Sequence, residues 1–289
     1  MSNHETGKNT IIGKDVLIGT NVSFGHNCIV EDGVSIGDNC FIDSNTVIHS
    51  GVSLGAGSHV DCNCILGEHT MDFYTNHQAQ NPPLRIGKNA LIRSGSILYS
   101  DSEIGDNVQT GHQVTIREKT TIKDNVSIGT LSDVQGNCVI GSFSRIHSNV
   151  FVAPETMIDS FVWLFPHVVL TNDPTPPSNF MQGIHIHSFA IVAARAVVLP
   201  GIEIGQDSLI GAGTVVTKSA PAYALMLGNP AKQKNDVRNI KNKTTGESAY
   251  PWRNHFSKYM PWDGIGFDRW YDNLPQEEKE HFGIVTIQS

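Results

Sequence analysis

The sequence predicts an all-β parallel solenoid, and three observations predict it. Apolar residues recur every six positions in three runs, Ile12 through Ile18, Phe24 and Val30 to Leu66, then Ile86 to Leu170, then Ile186 to Val216. Glycine often follows the column residue, as at Gly13, Gly25, Gly37, Gly105 and Gly129, which suits a corner where a Cβ is crowded or φ is positive. Four places after the column stands a small or β-branched residue, such as Val22, Cys28, Val34, Val108, Val126 or Ala196, which packs inward beside it. A period of six fits neither the 3.6 of a helix nor the 2 of an ordinary strand, so the column arises from stacked turns of a coiled ribbon. The runs hold 31 hexads, and Thr110 is the one polar column residue. Each buried column residue contributes roughly 1.5 to 3 kcal/mol before the entropy of ordering is subtracted.

The first run ends at Leu66 and resumes at Ile86, a gap of twenty residues where six are expected. The intervening loop, 68–85, must leave the prism, and Pro82 and Pro83 stiffen its return. It is either a polar surface excursion or an arm over a groove, and in the second case Asp72, Tyr74 and His77 are candidate substrate contacts. The second run stops at Leu170, before a Pro-rich and Asn-containing loop, 171–185. After Lys232 the hexads cease. The extension 233–289 carries Trp252, Trp262 and Trp270 with Tyr250, Phe256, Tyr259, Phe267, Tyr271 and Phe282. So aromatic a segment must pack: as a cap over the open end of the solenoid that braces neighbouring subunits, or as a shelf with a ring under a nucleotide base and Arg253 near its diphosphate. The division is therefore a solenoid, 1–232, and a C-terminal cap or extension, 233–289.

Composition sets limits. For 289 residues, one long solenoid is a better reading than two globular domains, because repeats grow by addition. A net charge of −8 and a pI near 5.9 argue against a nucleic-acid binder. The polar start, Met1 to Thr10, does not read as a signal peptide, and no apolar run approaches transmembrane length, so a cytoplasmic protein that does not engage a membrane is expected. Cys28, Cys40, Cys64 and Cys138 occupy the small inward position and read as core. Cys62 does not fit that position.

The hexad resembles that of the hexapeptide-repeat acyltransferases. That resemblance implies a left-handed parallel β-helix with three flat sides and about eighteen residues per coil. It gives about ten coils, on the order of 45 to 50 Å long at a strand spacing of about 4.8 Å. Left-handedness comes from the resemblance, since crossovers default to the right hand. The segment Thr171, Asn172, Asp173 after a leucine, the later GAGTVVTK (Gly211 to Lys218) and GNPAK (Gly228 to Lys232) are similar to the nucleotide-sugar N-acetyltransferase branch. The likeness covers residues 10 to 232 and implies a homotrimer with its sites between packed prisms. It also implies acetyl-CoA as acyl donor, with its pantetheine arm along the coils. Lys218 and Lys232 would meet its phosphates, and Gly211, Gly213, Gly228 and Asn229 would allow close approach. The alternative is that these are ordinary turn and surface residues.

Acyl transfer to an amine or hydroxyl needs a base titrating near neutrality, which points to histidine. Among thirteen histidines, His112 follows the polar column residue in QTGHQV. Steps of eighteen from it reach Ser94, Thr130 and Ser148, so a hydroxyl flanks the imidazole on either side. The TGH segment is similar to one in the sugar N-acyltransferase branch. His147 and His167 fall one column to either side and are alternative bases or substrate contacts, while the same arithmetic places Glu118 and Asn172 in one column. Ser94, Glu118, His147, His167, Asn172 and Asp173 are therefore candidate substrate-binding residues. A satisfied surface or inter-subunit histidine is the competing reading for His112.

The expected activity is acetyl or short-acyl transfer from coenzyme A to the amine of a nucleotide-linked amino sugar, with cell-surface polysaccharide synthesis implied by the resemblance alone. Transfer to a sugar hydroxyl is a close second, and a non-catalytic scaffold is the alternative from another class. A zinc anhydrase on this fold would pair two histidines five residues apart, and no such pair occurs. His185 and His187 are two apart and read as loop residues, so no metal is expected. A nucleotidyltransferase is disfavoured, because no Gly-rich nucleotide domain precedes the repeats.

Overall fold

The protein is described here from a computed structural model covering residues 5–77 and 81–284. It divides into two compact units, one running through Val139 and adding Ile146–Pro154, the other comprising Ile140–Arg145 and the chain from Glu155 onward.

In the first unit, strands of two to four residues form three parallel sheets. On one face Ser23–Phe24, Phe41–Ile42, His59–Val60, Leu91–Ile92 and Gln109–Thr110 pair in succession. Partners sit eighteen residues apart except across the first loop, where Val60 meets Ile92. Each strand points its column residue inward, so Val30, Ile42, Ile48, Val60, Leu66 and Leu98 are buried. The second unit repeats the plan, as in Trp163–Leu164, Ile191–Val192, Leu209–Ile210 and Ala224–Leu227. Among the described residues the strands make about 12 turns. Glu5–Thr6 and Ala224–Leu227 add strands outside the hexad runs.

The corners use two devices that the sequence had merged. The glycine after the column is needed for close approach: a Cβ on Gly25 would lie 2.4 Å from the Ser44 nitrogen in the next turn. Positive φ instead falls two residues later, more often on asparagine than on any other residue, as at Asn21 (55°), Asn39 (57°) and Asn107 (57°). Asparagine tolerates that region, and its amides link neighbouring turns, Asn21 Nδ2 donating to Asn39 Oδ1 at 3.2 Å. Thr110 is also explained. It is buried, and its Oγ1 accepts the Arg93 N–H at 2.9 Å, so its polarity satisfies the backbone.

The first loop begins after the strand Ile65–Glu68 and ends where Leu84–Ile86 pairs with Val52–Leu54. Its helix α1, Met71–Thr75, buries no residue. His69 stacks between Phe73 and His49, at centroid distances of 3.8 and 4.5 Å. Asn81 fastens the return, donating to the Gly67 carbonyl at 2.7 Å.

The second loop is held by Asp173, whose carboxylate accepts from the Thr175 N–H, the Ser178 N–H and the Ser178 hydroxyl. It is shorter than predicted at its end. His185 opens the strand His185–Ile186, paired with Met157–Ile158 and Glu203–Ile204, so His185 is a strand residue and His187 adjoins it.

The extension differs from the expected cap. Lys232–Asp236 does add an antiparallel edge strand to Ala224–Leu227, but the aromatic residues lie along a corner. There Phe143, Phe161 and Phe189 occupy the positive-φ slot and stack at 5.3 and 5.0 Å. Trp252, Trp262 and Trp270 cover them. Two helices, α2 (Phe267–Asn273) and α3 (Gln276–His281), complete the segment. Trp252 Nε1 donates to the Phe189 carbonyl at 2.9 Å and Trp262 Nε1 to the Phe256 carbonyl at 3.0 Å. Arg253 is no diphosphate ligand in this arrangement: it is ion-paired to buried Asp207 and lies against the Phe189 and Phe267 rings.

Candidate active site

The strand register of the first unit builds one corner column from Cys62, Ser94, His112, Thr130 and Ser148. Pairing of Val60 with Ile92 and of Thr110 with Ile128 puts the residues that follow at equivalent places in successive turns. Cys62, unplaced by the sequence, belongs here, and its carbonyl accepts the Gly95 N–H at 3.1 Å. Gly111 delivers His112 to the corner because a Cβ at that place would stand 2.2 Å from the Thr130 nitrogen.

His112 is exposed. Its Nδ1 lies 2.8 Å from Ser94 Oγ, and its backbone N–H donates to Thr130 Oγ1 at 3.2 Å. When Nδ1 carries the proton and Ser94 accepts it, the Nε2 lone pair faces outward as a base. The opposite tautomer puts a proton on Nε2. Ser94, expected to touch substrate, thus contacts the imidazole itself.

The other candidates fall into distinct settings. Glu118 is clasped by the Arg117 guanidinium through two hydrogen bonds of 3.0 and 2.9 Å, and Arg117 also faces the Tyr99 ring. His147 is half-buried, and its carbonyl accepts from Ser132 Oγ at 2.8 Å. Asp72 and Tyr74 lie on α1, and His77 packs edge-on to Phe73, at 5.1 Å. The ring contacts of this loop lead to His49, which sits 3.1 Å from the Glu31 carboxylate. Burial pushes Glu31 up, but the Ser50 N–H and His49 outweigh it and leave the carboxyl below its usual range.

In the second unit, His167 stands exposed at a positive-φ corner (64°). The Asn172 carbonyl accepts the Gln182 N–H at 2.7 Å, closing the base of the second loop. The Ser178 hydroxyl and amide, with the Thr175 amide, hold the Asp173 carboxyl below its ordinary range, so Asp173 shapes the loop. Lys218, Gly228, Asn229 and Lys232 are exposed. A Cβ on Gly213 would meet no atom within 4 Å, leaving room for a chain-like ligand to approach the backbone. Gly211 is buried against Leu227.

Comparison with known proteins agrees with the repeat. The family described as "Bacterial transferase hexapeptide (six repeats)" matches residues 9–44 and 83–118, and "Hexapeptide repeat of succinyl-transferase" matches 33–68 and 194–218. Over these segments the chain carries the hexapeptide repeat of such transferases. It is similar to a putative acetyltransferase of Staphylococcus aureus (strain COL), 46% identical over 65 residues, 22% of this chain and 31% of the relative. It is also similar to a galactoside O-acetyltransferase of Lactococcus lactis, 33% identical over 67 residues, 23% of this chain and 32% of the relative. These matches thus span about a third of the relatives' length. A solved UDP-N-acetylglucosamine O-acyltransferase from Moraxella catarrhalis aligns at 19% identity and a TM-score of 0.46, covering 80% of this chain and 74% of that one. No helix among the described residues of this hexapeptide-repeat chain is long and apolar enough to cross a membrane.

Proposed function

We propose that this protein is an acyl-CoA-dependent acyltransferase that moves an acetyl or other short acyl group to the amine of a nucleotide-linked amino sugar. The observation that carries this reading is the exposed His112 imidazole with Ser94 at its Nδ1, on a chain that carries the hexapeptide repeat of such transferases. Ser94 Oγ accepts the Nδ1 proton, and Nε2 removes a proton from the substrate nitrogen as it attacks the thioester carbonyl. The carbon–sulfur bond breaks, and the departing thiolate takes up the proton, giving free coenzyme A and the acylated sugar. Backbone N–H groups stabilise the oxyanion. No covalent enzyme intermediate is required.

Coenzyme A would lie along the turns bearing Gly211, Gly213 and Lys218, and reach Gly228, Asn229 and Lys232. The open approach to Gly213 and the exposed lysines fit a long anion. Asp72, Tyr74, His77, Glu118, His147, His167, Asn172 and Asp173 are the proposed acceptor contacts, with Glu118 acting through its pair with Arg117. A homotrimer acting in the cytoplasm on a cell-surface polysaccharide precursor completes the proposal.

Transfer to a sugar hydroxyl is the second reading, favoured by the match to a galactoside O-acetyltransferase. Free-thiol release from acetyl-CoA, followed against nucleotide-linked 3-amino and 4-amino sugars and against hydroxyl acceptors, separates the two. Turnover with none of them and no binding of coenzyme A would defeat the enzyme reading and favour a scaffold. Mass measurement in solution tests the trimer.

A further inference from the structure

We propose that Asp159, His185 and His187 form a binding site for one divalent transition-metal ion of the zinc type. Their placement follows from the strand pattern. Ile186 is buried, so His185 and His187 on either side of it both leave the outer face. The register that pairs Ile158 with Ile186 brings Asp159 alongside His187 in the adjacent turn. No other group of three or more His, Cys, Asp or Glu side chains with ligand atoms so close occurs among the described residues.

The distances suit a metal. Asp159 Oδ1 is 3.0 Å from His185 Nε2, and Oδ2 is 3.3 Å from His187 Nδ1. Ligands about 2.0 to 2.1 Å from a tetrahedral zinc ion are themselves about 3.3 Å apart. The two imidazoles already face each other at a centroid distance of 4.0 Å, and all three ligand atoms lie within 4.8 Å of one another. Small rotations of the rings therefore suffice to close three sides of a tetrahedron, leaving the fourth for water.

The surroundings supply two further features of a metal site. The other nitrogen of His187, Nε2, lies 3.9 Å from the Glu203 carboxylate, and ligating histidines commonly direct their second nitrogen to such a group. The chain after α3 passes over the carboxylate: Ser188 Oγ donates to the Phe282 carbonyl at 2.7 Å, and a Cβ on Gly283 would stand 3.3 Å from Asp159 Oδ2. The cluster is half-buried under this cover. Two neutral imidazoles and one carboxylate select zinc, cobalt or nickel over magnesium and calcium.

The test uses the full chain, stripped with a chelator and dialysed. Zinc is titrated against a chromogenic competitor, and cobalt is followed by its visible absorption. One ion per chain is expected, with a tetrahedral-type cobalt spectrum and a raised melting temperature. His187→Gln and Asp159→Asn are each expected to weaken binding about tenfold or more. Circular dichroism checks their folding, and if Asp159→Asn unfolds, the double variant His185→Gln/His187→Gln carries the test. Absence of zinc binding, or wild-type stoichiometry and affinity in the folded double variant, overturns the proposal and leaves the trio as a hydrogen-bonded cluster.

Discussion

Alanine at Gly111 strikes the turn that presents His112. An ideal Cβ there lies 2.2 Å from the Thr130 nitrogen, 2.6 Å from its Oγ1 and 2.7 Å from its Cα, whereas ordinary contact begins at 3.4 Å. The next turn would have to retreat by about 1 Å, the shortfall between these distances. Retreat is opposed by the ladder, since the Gly111 N–H donates to the Ile128 carbonyl at 2.6 Å and the Leu131 N–H to the His112 carbonyl at 3.0 Å. Overpacking costs about 1 to 3 kcal/mol, and a rigid backbone neighbour puts Gly111→Ala at the upper end, about 2 to 3 kcal/mol. That corresponds to roughly a 30- to 150-fold loss in the folding equilibrium. Gly33 provides the contrast, because its φ is +73° and no atom lies within 4 Å of an added Cβ. Asparagine fills equivalent corners elsewhere, so Gly33→Asn should fall within about 0.5 kcal/mol of wild type. Urea unfolding measures both, and acyl transfer should fall with Gly111→Ala because Thr130 holds the His112 amide. Equal urea midpoints for wild type and Gly111→Ala would refute the close-approach account of these glycines.

His112→Asn should lower kcat roughly 10²- to 10⁴-fold with an unchanged urea midpoint; a near-normal rate would move the base to His147, His167 or the substrate. Ser94→Ala should cause a smaller loss in kcat, since the imidazole loses the hydroxyl that can accept its Nδ1 proton. Trp262→Ala, at a side chain only 1% exposed, should weaken packing of the extension by about 3 to 5 kcal/mol, read as faster proteolysis beyond residue 233. Glu31 has a folded pKa below its unfolded one, so its contribution to stability is present above the ordinary carboxylate range and lost as pH falls through the folded value. Glu31→Gln should flatten that part of the pH–stability curve, and an unchanged curve would remove Glu31 from the account.

The hexad made the buried column legible because one inward residue per strand is the whole requirement of a prism face. It made the corners less legible, since two different constraints, close approach and positive φ, both select small or special residues. Thr110 looked functional for its polarity, yet it accepts the Arg93 N–H. The Phe143, Phe161 and Phe189 ladder was missed although it carried a signal. Asn107 and Asn125 precede Phe143 at eighteen-residue steps, so the phase that elsewhere carries a hydrated amide switches to phenylalanine. A large ring at positive φ is unfavourable, and such a switch makes sense only where something covers the corner. The extension supplies that cover. Asp159 was missed for a different reason: its relation to His185 and His187 depends on a loop whose length does not follow the repeat.

The slot that holds His112 has a structural duty in other turns, so a histidine there is not in itself a sign of chemistry. Its occupants accept a backbone N–H from the turn before: Asp32 from Lys14 at 2.7 Å, Asp38 from Thr20 at 2.6 Å, Asp106 from Lys88 at 2.7 Å. His26 does the same, its Nδ1 accepting from the Lys8 N–H at 2.7 Å. That bond decides the tautomer of neutral His26, because an accepting Nδ1 puts the proton on Nε2 and leaves no lone pair facing outward. His112 differs in one contact. Its Nδ1 meets the Ser94 hydroxyl, which can donate or accept, so the Nδ1–H form is open to it and Nε2 is free to take a proton. Two histidines in equivalent corners thus have different chemistry, and the difference lies in whether an amide or a hydroxyl stands at Nδ1.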